Sequence, residues 1–219
     1  MANRPTQALR QYGAALRTLL LLTVILGLAY PLAMTGFAQV AFGNNANGSL
    51  VARNGTTVGS HLIGQGFTRP VLKDGQPVKD AKGNPVVEAD PKYFQSRPSA
   101  AGTGYDPTSS SASNLGPENT DLIASVKERR ATAAALDGVA PEQVAPDALL
   151  ASGSGLDPQI SPAYAQEQIP RIARERGLSQ AKVQALVNEN TQGRTLGFLG
   201  EPRVNVLNLN LALDAAARG

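Results

Sequence analysis

Residues 18–42, TLLLLTVILGLAYPLAMTGFAQVAF, run for twenty-five positions without a charge. About 20 such residues carry a helix across the hydrocarbon core of a bilayer, and in lipid the backbone must satisfy its hydrogen bonds within the segment. The run therefore predicts a transmembrane helix. A cleaved leader is the rival reading, but the apolar stretch of a leader runs only about 7–15 residues to a small-x-small site. Here the run is longer and Gln39-Val40-Ala41 is a poor site, which favours an uncleaved span. Pro31 sits inside the span and removes a backbone donor, which predicts a kink.

The flanks orient the span. Arg4, Arg10 and Arg17 precede it with no acid among them, whereas the stretch that follows carries only Arg53 before residue 60. Basic flanks stay cytoplasmic. The expected division is a cytoplasmic basic tail at 1–17, the transmembrane helix at 18–42 and an extracytoplasmic domain at 43–219, in the inner (cell) membrane. The same three arginines account for the whole net charge of +3, since 20 basic residues stand against 17 acidic ones. No basic patch is left over for nucleic acid. The chain has no cysteine, which excludes disulfide staples and thiolate metal sites. Its single histidine, His61, leaves any imidazole chemistry resting on one residue.

Within the span, Thr23, Gly27, Pro31, Thr35 and Gln39 recur every four residues among Leu, Ile and Val. Small and hydrogen-bonding side chains on one stripe let a second helix approach closely. Thr23, Gly27, Pro31 and Thr35 are therefore candidate partner contacts; the alternative is that Gly and Pro are simply frequent in membrane helices.

Beyond the span, short apolar runs at Leu50-Val51 and Leu62-Ile63 among Asn and Gly predict short strands joined by turns. Residues 71–89, with turn signals at Asp74-Gly75 and Gly83-Asn84-Pro85, predict a polar surface hairpin. Residues 97–120 are almost free of large apolar side chains and predict a long loop. Helices are predicted from a Thr120 cap to Gly138, with apolar residues at Leu122, Ile123 and Val126, from a Ser161 cap with Pro162 at the first position, and from a Ser179 cap with a narrow core stripe of Val183, Leu186 and Val187. Pro170 is expected to split or kink the second. The segment RVNVLNLNLALD reads as an irregular strand or as a helix from about Val206, with helix favoured by its AAA ending. Together these give an α+β class: a single N-terminal transmembrane helix followed by one extracytoplasmic mixed α/β domain.

The stretch ASGSGLDPQIS, residues 151–161, invites three readings. Ser154 as a nucleophile needs a base, and His61 with Asp157 is the only candidate pair with an imidazole. A phosphate loop would end in Gly-Lys-Ser/Thr, which is absent here. The plain reading is a tight turn closed by Asp157-Pro158 and followed by a capped helix. A membrane-anchored serine hydrolase and a stand-alone ligand-binding module are the rival functions.

Taken in order, YPLAMTGFAQVAF with NGSLV, GSHLIGQGF, YFQSRPSA, SASNLGP, ASGSGLDPQIS, PRIARERG and FLGEPRVNVLNLNLAL resemble the C subunit of the Kdp potassium-transporting P-type ATPase. Residues 71–89 depart from that pattern as a surface insertion. The resemblance implies an accessory subunit with no catalytic or metal site and no cofactor of its own. Its implied partners are a channel-like potassium-translocating subunit and a P-type ATPase subunit, with potassium as the ion transported. The outer domain is expected to cap the channel-like partner through RPSAAGTGYDP and SASNLGP, with Arg97, whose fork of donors suits carbonyls or a carboxylate, and Asn114, which can donate and accept, as candidate contacts; the alternative is that both make local loop hydrogen bonds. The resemblance also attributes to the C subunit a catalytic-chaperone role that raises the ATPase subunit's affinity for ATP, for which Ser152, Ser154 and Gly155 are the candidate nucleotide contacts. An outward domain, however, lies across the membrane from cytoplasmic ATP. Glu201 is expected to pair with Arg203 or Arg194.

Overall fold

The computed structural model describes residues 7–217, and Arg4 lies outside them. The chain divides into two compact units, Met1–Leu50 and Val51–Gly219.

The first unit is built on one long helix, α1 (Gln7–Ala41), the only one among the described residues long and apolar enough to cross a membrane. It starts well before the apolar run, so Arg10 and Arg17 ride on the helix itself. No residue of its α-helical parts is buried. At Ile25–Ala29 the helix widens into a π turn, with the Tyr30 N–H donating to the Ile25 carbonyl. Pro31, the second residue of the α-helix that resumes at Tyr30, has no N–H to return to the carbonyl four residues back, and a π turn is one way a helix absorbs such a loss. Where the sequence predicts a kink, the structure has a π turn just before Pro31. Past Ala41 a single turn, Gly43–Ala46, follows. Asn47 and Gln39 exchange amide hydrogen bonds of 3.0 and 3.2 Å across it.

At the start of the second unit stands a hairpin of β1 (Leu50–Arg53), whose first residue closes the first unit, and β2 (Thr56–Ser60). Asn54 and Gly55 at its turn have φ of 51° and 79°, the paired positive values of a two-residue hairpin turn. Residues 68–89 form nested antiparallel pairs. β3 (Thr68–Pro70) lies on β6 (Val87–Ala89), and β4 (Leu72–Lys73) turns through Asp74-Gly75 onto β5 (Gln76–Pro77). The Asp80 carboxylate receives the N–H groups of Lys82 and Asn84 at the next bend. These hydrogen bonds hold the exposed Asp80 carboxyl below its usual range.

The core is helical. α2 (Thr120–Asp137) and α3 (Pro162–Arg176) pack together, α4 (Gln180–Glu189) lies against α3, and α5 (Val206–Ala216) against α4. A small antiparallel sheet backs them, with β9 (Arg203–Asn205) between β7 (Gln159–Ile160) and β8 (Thr191–Gln192). Ile160, Ile172, Val183, Val187, Val204, Leu209 and Leu213 fill the space between. The class is α+β, as the sequence predicts.

Two local expectations are corrected. The cap of α2 is Asn119, not Thr120, because its side-chain oxygen receives the Asp121 and Leu122 N–H groups. Along that helix Ile123 is exposed and burial falls on Ala133, Ala134 and Asp137 near the other end. Pro170 does not split α3. It sits on the exposed face, and the carbonyl it deprives, on Gln166, is also on an exposed residue where water can serve it. The expected caps Ser161 and Ser179 receive the N–H groups of Tyr164 and Lys182. Gly138 ends α2 with φ of 71°.

Beneath α3 lies a charged group with no access to water. Arg171 is fully buried, bonded to the Asp137 carboxylate at 2.7 Å, to the Gln168 amide oxygen at 2.7 Å and to the Tyr93 carbonyl at 2.9 Å. A buried ion pair of this kind adds little over an apolar core, but removing one partner strands the other at a cost of about 3–5 kcal/mol. Arg171 ties α3 to α2 and to the extended segment at 91–95.

Candidate functional site

Of the quoted blocks, GSHLIGQGF, YFQSRPSA, SASNLGP and the RVNV start of the last one meet ASGSGLDPQIS at one junction of loops, and ASGSGLDP is its centre. Its backbone carbonyls each meet a different segment. Ser154 O receives Ser111 N and Ser110 Oγ, both at 3.0 Å. Gly155 O receives Ser99 Oγ at 2.6 Å. Leu156 O receives Gly64 N at 2.8 Å, and Pro158 O receives Val206 N at 3.0 Å. The long 97–120 loop is thus fastened down without secondary structure of its own, which is how buried or half-buried loop backbone has to be satisfied.

Two glycines make the approach possible. Gly155 has φ of 68°, and a Cβ there would lie 2.6 Å from Ser111 O and 2.7 Å from Ala101 N. At Gly64 a Cβ would lie 2.6 Å from Asp157 O and 2.5 Å from the Tyr105 ring. No other residue fits either place without movement of backbone. Ala101 is fully buried at this contact.

Arg97 is the side-chain clamp of the junction. Its guanidinium donates to the Leu150 carbonyl at 3.3 and 3.4 Å and to the Asp157 carboxylate at 3.4 Å. Its own carbonyl accepts from the Tyr105 hydroxyl. Burial pushes the Tyr105 hydroxyl up to about 12, so it remains a donor across the physiological range. Beside Arg97 opens a cleft of about 710 Å³ whose walls include Asp147, Leu150, Asp157, Glu201 and Arg203.

The structure brings Arg97, Ser152, Ser154 and Gly155 into this junction. Ser152 is buried, Gly155 is buried, and the exposed Ser154 turns its hydroxyl oxygen back to receive Leu156 N at 3.1 Å. Asn114 stands on the exposed part of the loop with φ of 52° and donates to the Ala112 carbonyl. Thr23, Gly27, Pro31 and Thr35 lie on α1 in the other unit. The residues a serine hydrolase would need are engaged elsewhere: His61 Nδ1 lies 2.7 Å from Asn208 Oδ1, and Asp157 holds Gln159 N and Arg97. Glu201 pairs with Arg194 at 2.7 Å.

Several positioning residues escape a reading by motif. The asparagines of VNVLNLNL hold two distant segments, at His61 and at Phe94. Asn205 caps α5 and donates to the His61 carbonyl, Asn208 meets the His61 ring, and Asn210 bonds both backbone groups of Phe94 at 2.9 and 3.0 Å. Gln168 does the same for Gln95, at 2.7 and 3.2 Å. The available signal was an amide recurring on an otherwise apolar helix, where an unpaired one would be costly.

The profile described as "K+-transporting ATPase, c chain" matches residues 12–215. Among curated proteins, the chain is 54% identical over 212 residues to the potassium-transporting ATPase KdpC subunit of Kineococcus radiotolerans, covering 97% of both chains. It is 46% identical to the subunit of that name from Streptomyces avermitilis, again over 97% of both. The one from a Caulobacter species is 51% identical over 197 residues, 89% of this chain and 88% of that one. The match runs through the apolar helix and the loop junction alike, and the chain belongs to the KdpC family, the c chain of the K+-transporting ATPase.

Proposed function

We propose that this chain is a membrane-anchored accessory subunit that does no chemistry of its own. On this reading it assembles, and stabilises or couples, a channel-like potassium-translocating subunit and a P-type ATPase subunit. α1 packs on a partner helix through Thr23, Gly27, Pro31 and Thr35. The second unit lies on the outer face and meets its partner through the exposed part of the 97–120 loop. The observation that carries this reading is the junction itself. A long loop is pinned at its base by Ser99, Ser110, Ser111 and Arg97, while residues 113–118 remain exposed. That arrangement presents a fixed surface and assembles no nucleophile with a base.

Arg97 enters this reading as the residue that holds the surface in shape, and Asn114 as a residue on it. The ATP expectation attached to Ser152, Ser154 and Gly155 draws no support from the geometry. The N–H groups of Gly155 and Leu156, which a phosphate cradle would need free, already bond Ser152 O and Ser154 Oγ.

The test uses the whole complex. A Cβ at Gly27 meets only Thr23 Cγ2, at 3.9 Å, so Gly27→Leu introduces no clash within the chain's own backbone. Its expected effect is reduced co-purification of the other subunits and reduced potassium-stimulated ATP hydrolysis, with the chain still inserted in the membrane. Equal recovery of partners with Gly27→Leu and the unsubstituted chain would remove the stripe from the reading. Full potassium-stimulated hydrolysis by the other subunits in the absence of this chain would remove the accessory role.

A further inference from the structure

The widened turn in α1 leaves backbone carbonyls over, deep in the apolar run. Within Ile25–Ala29 the pattern lengthens, and the Tyr30 N–H donates to Ile25 O, five residues back. Pro31 has no N–H. Leu26 O therefore lacks both of its backbone donors, since Tyr30 would serve it in an α pattern and Pro31 in a π pattern. The α pattern resumes with Ala29 as the cap, whose carbonyl takes the first bond of the new stretch, from Ala33. Between Ile25 and Ala29 stand the carbonyls of Leu26, Gly27 and Leu28, with only the N–H of Leu32 left to serve them. The π turn thus moves the shortfall made by Pro31 and does not cancel it.

The helix does not make good the loss with its own side chains. A Ser or Thr hydroxyl reaches the carbonyl three or four residues before it, and those places hold Ala29, Tyr30, Pro31 and Leu32. Leu26 lies eight residues past Thr18 and sixteen before Phe42, about 12 Å along the helix from the nearer end of the run. With α1 as a membrane anchor, that is well inside the hydrocarbon, where acyl chains offer no donor and an unmet carbonyl is costly. A cationic donor at that depth is itself costly. Leu26 is 62% exposed, and beside it a Cβ on Gly27 would meet only Thr23 Cγ2, at 3.9 Å. A surface left bare in this way admits a second helix closely, and a close crossing has room for a short side chain.

We propose that a serine or threonine hydroxyl on a membrane helix of another subunit of the same ATPase donates to Leu26 O. Pro31 and the π turn then serve to open an acceptor for that partner. This rests on the accessory-subunit reading. The sequence supplies the probe, because Leu26-Gly27 is one of four Leu-Gly steps and the others, beginning at Leu115, Leu196 and Leu199, belong to the second unit. With carbon-13 at the leucine carbonyls and nitrogen-15 in the glycines of this chain alone, solid-state NMR resolves the carbonyls of these steps, and that of Leu26 is the one lost in Gly27→Ala.

The Leu26 resonance should move downfield when the chain passes from bilayers of its own into the assembled complex, as a carbonyl does on accepting a hydrogen bond. Pro31→Ala restores an N–H, so its Leu26 resonance should lie downfield already and stay there on assembly. Its complex should dissociate about threefold faster, the worth of an average interhelical hydrogen bond in a membrane. A diazirine analogue of leucine at position 26 should cross-link to the covering helix. Replacing the serines and threonines within one turn of that cross-link by alanine or valine should return the resonance to its position in the isolated chain. A resonance unmoved by assembly, an equal shift in Pro31→Ala, a cross-link only to lipid or to a second copy of this chain, or a shift that survives every such replacement overturns the proposal. If the unsubstituted chain fails to co-purify with the other subunits, the accessory reading itself fails. If it co-purifies and the resonance stays put, the hydrogen bond alone is wrong.

Discussion

Gly155→Ala puts one methyl group into the closest backbone contact of the junction. The new Cβ would stand 2.6 Å from Ser111 O, 2.7 Å from Ala101 N and 2.9 Å from Ala101 Cβ. None of these is the end of a flexible side chain, so the loops must part. Alanine at φ of 68° costs about 1–2 kcal/mol by itself. Overpacking at a tight contact adds roughly 1–3 kcal/mol, for a total of about 2–5 kcal/mol. At roughly 2–4 °C per kcal/mol for a unit of this size, the melting temperature should fall by about 4–20 °C. Ser154→Ala removes only the hydroxyl that receives Leu156 N at 3.1 Å, worth about 0.5–1.5 kcal/mol, and should lower it by no more than about 6 °C. The assay is thermal unfolding of the purified full chain in detergent, followed by near-ultraviolet circular dichroism of the tyrosines. These lie at Tyr93, Tyr105 and Tyr164 in the second unit as well as at Tyr12 and Tyr30. If Gly155→Ala melts with the unsubstituted chain, or Ser154→Ala is the more damaging, the glycine is not there for packing and the hydroxyl has a role this reasoning denies it.

The other expectations are simpler. Asp214 lies between Arg176, at 2.8 Å, and Arg53. Burial raises its carboxyl, but the two arginines outweigh that and hold it below the usual range. Its stabilising contribution is therefore complete above the unfolded value of about 3.9 and is lost as pH falls through the lower folded value. Asp214→Asn should destabilise the chain at pH 7 by an amount that shrinks as pH falls below about 3.9, and an effect that does not change with pH would rule out the ionic account. For orientation, the cysteine-free chain allows single cysteines at Ala8 and at the exposed Lys82. A membrane-impermeant thiol reagent on intact spheroplasts should label Lys82→Cys and spare Ala8→Cys, and the reverse pattern would invert the topology.

Much of the architecture was legible because it rests on short-range rules. An uncharged run marks α1, Ser161 and Ser179 announce their helices, and Asn54-Gly55 and Asp74-Gly75 mark turns whose backbone needs positive φ. The junction was not legible in the same way, because its bonds join residues far apart in the chain: Ser99 to Gly155, Gly64 to Leu156, Asn210 to Phe94. Single blocks such as GSGLD have no periodicity to read, and only their fixed order along the chain carried the resemblance. Arg97 shows the difference most plainly. An arginine in a polar loop reads as an outward contact, yet its guanidinium is turned onto Leu150 O and Asp157. A carbonyl left over by a turn fifty residues away is invisible to any local rule.

The stripe on α1 shows what counting by fours leaves out. A helix turns about 100° per residue, so a spacing of four overshoots a full turn by roughly 40°. From Thr23 to Gln39 that overshoot would wind the five residues across about 160°, hardly one face. The π turn at Ile25–Ala29 changes this, because a helix closed by i→i+5 bonds takes roughly 4.4 residues per turn, about 82° each. Its five residues give back about 90°, which brings Thr23, Gly27 and Pro31 to within roughly 20° of one line and the whole set to within about 80°. Pro31, by withdrawing a donor, favours the widened turn that aligns the residues before it with those after it. The stripe is thus a property of the sequence and of the π turn together, and counting by fours would not have placed it on one face.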